Sequence, residues 1–174
     1  VYFGDAPVFT SDYELLETQV LTTSETSVTF SSLGTYAADY KHLQIRMSAR
    51  GSTTANLVTV INADTAANYS WHIIEANGST VSGAGLGSRT YMFNAVTTAQ
   101  TDGFNAGVVD LLDAYNTNKY LTIRTLSGVT GSSNYVHFAS GSWRNTASLT
   151  SIELKRVSGL HTIGSRFSLY GLKG

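Results

Sequence analysis

At 174 residues, with 42% hydrophobic and 13% charged side chains, the chain is long enough to bury one core without covalent staples. With no cysteine it has no disulfide framework, thiolate nucleophile or sulfur-ligated metal, and a net charge of -1 supplies no field to gather nucleic acid. No apolar run approaches the roughly 20 residues of a membrane span, and the low charge fraction predicts a neutral, hydroxyl-rich surface.

The chain opens on residues 1–13, where Tyr2, Phe3, Val8, Phe9 and Tyr13 are interrupted by Gly4, Asp5 and Pro7 and do not alternate. This start lacks the basic flank and apolar centre of a signal peptide. It predicts an extended N-terminal arm that needs a surface to lie against, either its own domain or a neighbouring subunit. Residues 14–174 then predict one β-sandwich domain.

Within that domain the hydrophobic period is mostly two. Leu15–Leu21 and Ser27–Phe30 come first, and Leu43–Arg50 is the clearest strand, apolar at every odd position. Leu57–Ile61, Tyr69–Ile74, Arg89–Phe93, Val108–Leu112, Tyr120–Leu126, Tyr135–Ala139, Ser151–Val157 and Phe167–Leu172 follow, giving about ten short strands. Turn clusters such as Asn77-Gly78-Ser79 and Ser158-Gly159 separate them, because glycine and asparagine reach positive φ cheaply. The stretch Val81–Ser88, rich in glycine, predicts a long flexible loop, and Val96–Asn105 a second. No apolar stripe at helical spacing lasts three turns, so helix is expected to be scarce. The pattern predicts an all-β fold: a single antiparallel sandwich, with a jelly roll the first choice and a closed barrel the second.

The chemical search returns little that points to an enzyme. His42, His72, His137 and His161 lie too far apart in sequence for the usual metal spacings. There is no Gly-x-Ser-x-Gly elbow, and Gly83-Ala84-Gly85-Leu86-Gly87 lacks the Lys-Ser/Thr that a phosphate loop needs. Asp110 and Asp113 are three apart, so in a strand they diverge, and Asp113 to Asn116 reads as the following turn. Tyr69, Trp71, Tyr91, Tyr115, Tyr120, Tyr135 and Trp143 are the remaining resource: exposed, they could stack on sugar rings; buried, they are ordinary core. No residue pattern asks for a metal or a cofactor.

Five segments carry a resemblance. Tyr13-Glu14-Leu15-Leu16-Glu17-Thr18, Tyr40-Lys41-His42-Leu43-Gln44-Ile45-Arg46, Asn68-Tyr69-Ser70-Trp71-His72, Ser142-Trp143-Arg144-Asn145-Thr146-Ala147 and the closing Arg166-Phe167-Ser168-Leu169-Tyr170-Gly171-Leu172-Lys173-Gly174 appear in this order. Together they resemble a family of structural proteins of tailed bacteriophages, common among aquatic phages. The resemblance implies a non-enzymatic virion component, made in the bacterial host cytoplasm, often trimeric, with no shared catalytic set. It sits either on the head as a decoration or cement protein or at the tip of a fibre that recognises host surface glycan.

A fibre tip is expected to follow a long shaft, and only about a dozen residues precede the sandwich here, which favours decoration of the capsid surface. The expected partners are then the major capsid protein and further copies of the chain, with the contact residues Tyr2, Phe3, Val8, Phe9 and Tyr13 in the arm. Neither a membrane nor nucleic acid is an expected partner.

Overall fold

Alternating short runs of β-branched and aromatic residues, broken by glycine and asparagine, build the fold from strands alone. The computed structural model describes residues 12–101, 103–131 and 134–174. Among these residues it contains twelve strands and one 3-10 turn, Leu33–Tyr36. In chain order the strands are β1 (Tyr13–Val20), β2 (Ser27–Phe30), β3 (His42–Ala49), β4 (Ala55–Ile61), β5 (Tyr69–Asn77), β6 (Thr80–Arg89), β7 (Met92–Thr97), β8 (Asn105–Leu112), β9 (Leu121–Val129), β10 (Tyr135–Trp143), β11 (Ile152–Arg156) and β12 (Arg166–Leu172).

All pairings are antiparallel. One sheet has the order β1-β12-β3-β8-β9-β10-β5-β6, and the other β2-β11-β4-β7. The pairs β1/β2, β3/β4, β7/β8 and β11/β12 each place their two members in opposite sheets. The remaining strands, β5–β6 and β9–β10, are hairpins, and both join the larger sheet, which therefore extends past the smaller one.

The core lies between the sheets. Phe30, Leu57, Ile61 and Leu154 of the smaller sheet meet Leu43, Ile45, Leu111, Ile123, Phe167 and Leu169 of the larger in one apolar cluster. Burial of side chains this size is worth about 1.5–3 kcal/mol each before conformational entropy is charged against it.

The runs expected to be strands coincide with or overlap one each, except Arg89–Phe93, which instead spans the end of β6, a bend at residues 90–91 and the start of β7. Val81–Ser88 is the main correction. Instead of a flexible loop it is β6, ten residues long and paired with β5 from Tyr69↔Arg89 to Asn77↔Thr80. Its turn is made by Gly78 at φ 57°. Glycine alternates in β6 as faithfully as hydrophobic residues do elsewhere: Gly83 and Gly85 stand opposite Ile74 and His72. A Cβ on Gly85 would fall 2.4 Å from the His72 ring, so the glycine makes room for that imidazole. Tyr13, expected in the arm, is the first residue of β1 and pairs with Leu172.

Candidate functional site

Two of the five segments singled out in the sequence meet at one place in the fold. Asp64, in the connection from β4 to β5, accepts hydrogen bonds from Trp143 Nε1 (2.7 Å), Asn68 Nδ2 (2.9 Å) and the Ala66 amide (2.9 Å). Its backbone carbonyl accepts from the Tyr69 hydroxyl at 3.1 Å. Burial raises the Asp64 pKa, but these hydrogen bonds outweigh it and hold the carboxyl below its ordinary value. Arg144 donates to the Ala67 carbonyl, and Asn62 Oδ1 takes the Thr150 and Ser151 amides. The Asn68-Tyr69-Ser70-Trp71 and Ser142-Trp143-Arg144-Asn145 segments are thus the two sides of one clasp that holds β5 and β10 in register.

Of the two alternatives for the seven aromatics, this placement favours burial for most. Tyr69 and Trp143 are core residues, Trp71 is buried at 7% exposure, and Tyr91, Tyr115 and Tyr135 are half-buried. Tyr120 alone of the seven is exposed, at 53%.

The outward face of the larger sheet falls into two parts. Over β1, β12, β3 and β8 it is mostly polar and internally paired, with Leu15 and Val20 of β1 the exposed apolar exceptions. Thr18 and Ser168 hydroxyls share a hydrogen bond at 2.9 Å. Arg46 donates to Gln44, Gln44 to Asp110, and Arg124 to the other Asp110 oxygen at 2.9 Å. The Arg46 guanidinium also lies over the rings of Tyr170 (4.4 Å) and Tyr13 (5.0 Å), which is where the structure places that one assembly candidate.

Over β8, β9, β10 and β5 the same face is apolar. The register runs Val108↔Leu126↔Phe138↔Ile74, and in the next row Ala106↔Gly128↔Val136↔Ala76↔Val81. Ile74 is 61% exposed, Leu126 56%, Val136 53% and Phe138 44%. Such side chains scattered singly are unremarkable, but a contiguous block on a flat sheet is the mark of an interaction surface.

On the inward face the overhang of β5–β6 past β7 leaves a cavity of about 220 Å³. Trp71, Glu75 and Ser82 form its roof, and Asn56, Phe93 and Val96 its floor. Ser82 donates to Glu75 Oε1 at 3.1 Å. Behind Glu75 lies His137, fully buried, stacked on Tyr135 at 5.5 Å and tilted against Phe93 at 5.3 Å. His137 Nε2 is 3.3 Å from Glu75 Oε2, yet the contact is misdirected and neither ring nitrogen has a hydrogen-bond partner. Burial lowers the His137 pKa against the pull of Glu75, so the ring is neutral at pH 7. The Trp71 indole N–H is also buried without a partner.

Of the other sequence candidates, Tyr2, Phe3, Val8 and Phe9 lie outside the described residues. Asp110 is held in the polar network above, while Asp113 ends β8 at φ 52° and pairs with Lys119. The structure does not bring these two carboxylates to a common cleft. His42 accepts the Asp113 amide at 2.8 Å, His72 lies over Gly85, and His161 is buried against Phe167. Among the described residues no three of His, Asp and Glu are grouped to hold a metal, and no helix is long and apolar enough to cross a membrane.

The apolar block and the cavity are absent from the sequence expectations. Their signal was in the strands themselves: β10 buries His137 and Ala139 and exposes Val136 and Phe138, the reverse of what hydrophobicity alone selects. What the fold defines is an antiparallel β-sandwich with a one-sided apolar face. The chain matches no protein-family model and no curated protein sequence.

Proposed function

We propose that the chain is a non-enzymatic structural protein of a phage virion, a capsid decoration protein that assembles with copies of itself through the apolar outward block of its larger sheet. The observation that carries this reading is the exposed block of Val108, Leu126, Phe138, Ile74 and Val136. A second copy is the occupant that suits it best. The block itself is uncharged, and its charged flank, Asp110 with Arg124, is already neutralised within the subunit. A neutral apolar surface gathered about a threefold axis meets neighbouring copies without charge repulsion. Two further features support the reading. The order β1-β12-β3-β8 opposite β2-β11-β4-β7 supports reading the sandwich as a jelly roll, an architecture used by viral coat proteins. The clasp around Asp64 gives the resemblance to phage structural proteins a concrete role in holding such a sandwich together.

In this reading three copies pack around a common axis and bind only the assembled shell of the major capsid protein. By mass action such binding stabilises the shell against the pressure of packaged DNA. Sedimentation equilibrium of the full chain tests the first half: the expected result is a trimer in the micromolar range, and a monomer at all concentrations overturns it. Electron microscopy of particles carrying a tagged chain tests the second half. Label on the head is expected, and label confined to the tail replaces decoration with a receptor-binding fibre tip.

A further inference from the structure

We propose that the cavity beneath the β5–β6 overhang binds a neutral pyranose ring, one sugar unit of a surface polysaccharide. The proposal stands apart from the assembly reading, since the cavity opens on the face of β5 opposite the apolar block: Trp71, Ile73 and Glu75 point one way, His72 and Ile74 the other.

The volume, about 220 Å³, lies below the roughly 300–1,000 Å³ of sites for drug-sized ligands, so a single ring is the size that fits. The lining then selects the chemistry. Trp71 and Phe93, with ring centroids 5.6 Å apart and planes at 36°, offer an apolar wall to the C–H face of a sugar. Beside these rings, in the same roof and floor, stand a carboxylate (Glu75), an amide (Asn56) and a hydroxyl (Ser82). The Asn56 side chain makes no hydrogen bond among the described residues, and Glu75 Oε2 has only the misdirected His137 contact. These are the acceptors and donors that ring hydroxyls satisfy.

The fold also leaves the indole N–H of Trp71, a residue lining this cavity, buried without a partner. A buried indole ordinarily finds a partner, and leaving one unpaired is costly. A bound hydroxyl supplies the acceptor that the chain itself does not. An acidic sugar is disfavoured by the Glu75 charge. A quaternary ammonium would use the aromatic wall and Glu75 but would leave Asn56 and Ser82 unused.

The full chain has two tryptophans, so its indole ¹H–¹⁵N spectrum has two cross-peaks. Trp71 reports the cavity and Trp143, bonded to Asp64, reports the fold. The methyl glycosides of glucose, galactose, mannose and N-acetylglucosamine are titrated, with choline and methyl glucuronoside as contrasts. At least one neutral glycoside is expected to shift the Trp71 peak saturably, with a Kd of about 1–10 mM, and to leave Trp143 unmoved. Ala84→Phe, which fills the cavity from the exposed edge strand, is expected to abolish the shift. Glu75→Gln and Asn56→Ala, both at half-exposed positions, are expected to weaken binding about three- to tenfold while keeping the Trp143 peak. The proposal is overturned if no neutral glycoside moves Trp71 up to about 100 mM, or if choline or the glucuronoside binds in preference. It is equally overturned if binding is unchanged in Glu75→Gln and Asn56→Ala.

Discussion

The two halves of the eight-stranded sheet use the same backbone and opposite surfaces. Over β1, β12, β3 and β8 the outward side chains satisfy one another through Thr18–Ser168 and the run Arg46–Gln44–Asp110–Arg124. Over β9, β10 and β5 the outward side chains include Leu126, Val136, Phe138 and Ile74, and these have nothing to satisfy and nothing to cover them within the subunit. The first half is therefore largely satisfied within the subunit, Leu15 and Val20 of β1 excepted, whereas the second exposes its apolar side chains as a block. That second half is built by the two hairpins added to the eight-strand sandwich, so the candidate assembly face is an addition to the fold and not part of its minimal core.

The contrast is most directly broken by placing the same charge on each half. Phe138→Glu puts a carboxylate in the centre of the apolar block, and it is expected to weaken self-association about a hundredfold or more, since it both removes about 2 kcal/mol of burial and leaves a charge to be desolvated. Thr18→Glu, at an exposed position on the outward face of β1, is expected to leave association within about threefold of the parent. Sedimentation equilibrium of the two variants reads both values. Equal effects would mean that the division of the face has no bearing on assembly.

The clasp offers the next largest effect, because it fastens the hairpin half to the rest. Asp64→Ala strips the acceptor from Trp143 Nε1 in a side chain only 1% exposed, as well as from Asn68 and the Ala66 amide. A loss of about 2–3 kcal/mol in unfolding free energy is expected, read from urea denaturation. Hydrogen exchange should then rise most at the Tyr69 and Trp143 ends of β5 and β10. Because the Asp64 carboxyl titrates below its ordinary value, its contribution is present above the ordinary carboxylate range and is lost as pH falls through the lowered value.

The same division sets what the sequence disclosed. Strands whose large side chains face the core, such as β3 with Leu43, Ile45 and Met47, are legible from alternation alone. Of the hairpin strands β5, β9 and β10 are legible as strands but not in which side chains they expose, and β6 is not legible at all. In β6 the alternating residue is glycine, which no propensity scale associates with a strand, and the ten-residue edge strand looks like a loop. In β9 and β10 the buried positions include Thr125, Ser127 and His137, while Leu126, Val136 and Phe138 are exposed, so the phase of burial is inverted. The cavity was hidden for a different reason: Asn56, Trp71 and Glu75 meet only because β7 lies beneath the overhang, a consequence of sheet order that no local pattern encodes.

The smallest expected effect compares the two buried imidazoles, one in each part of the molecule. His161 bridges Glu25 and Gly51, packs against Phe167 at 5.1 Å, and lies in the part where the smaller sheet covers the larger. Burial, together with the nearby Arg156 charge, pushes its pKa down to about 4, against the contact with the Leu154 carbonyl. His137, in β10, is also lowered by burial, but Glu75 opposes the shift. Both rings are neutral when folded and take up a proton more readily when unfolded. Stability is therefore whole above the unfolded value near 6.5 and falls as pH drops from there toward about 4. Each ring contributes a slope of up to about 1.4 kcal/mol per pH unit within its window. His161→Gln keeps an N–H for the Leu154 carbonyl and removes the titration, so it is expected to flatten the melting temperature between pH 6.5 and pH 4 more than His137→Gln does. Were the two variants to flatten it equally, Glu75 would not be restraining His137, and the cavity wall would carry less charge coupling than its geometry implies.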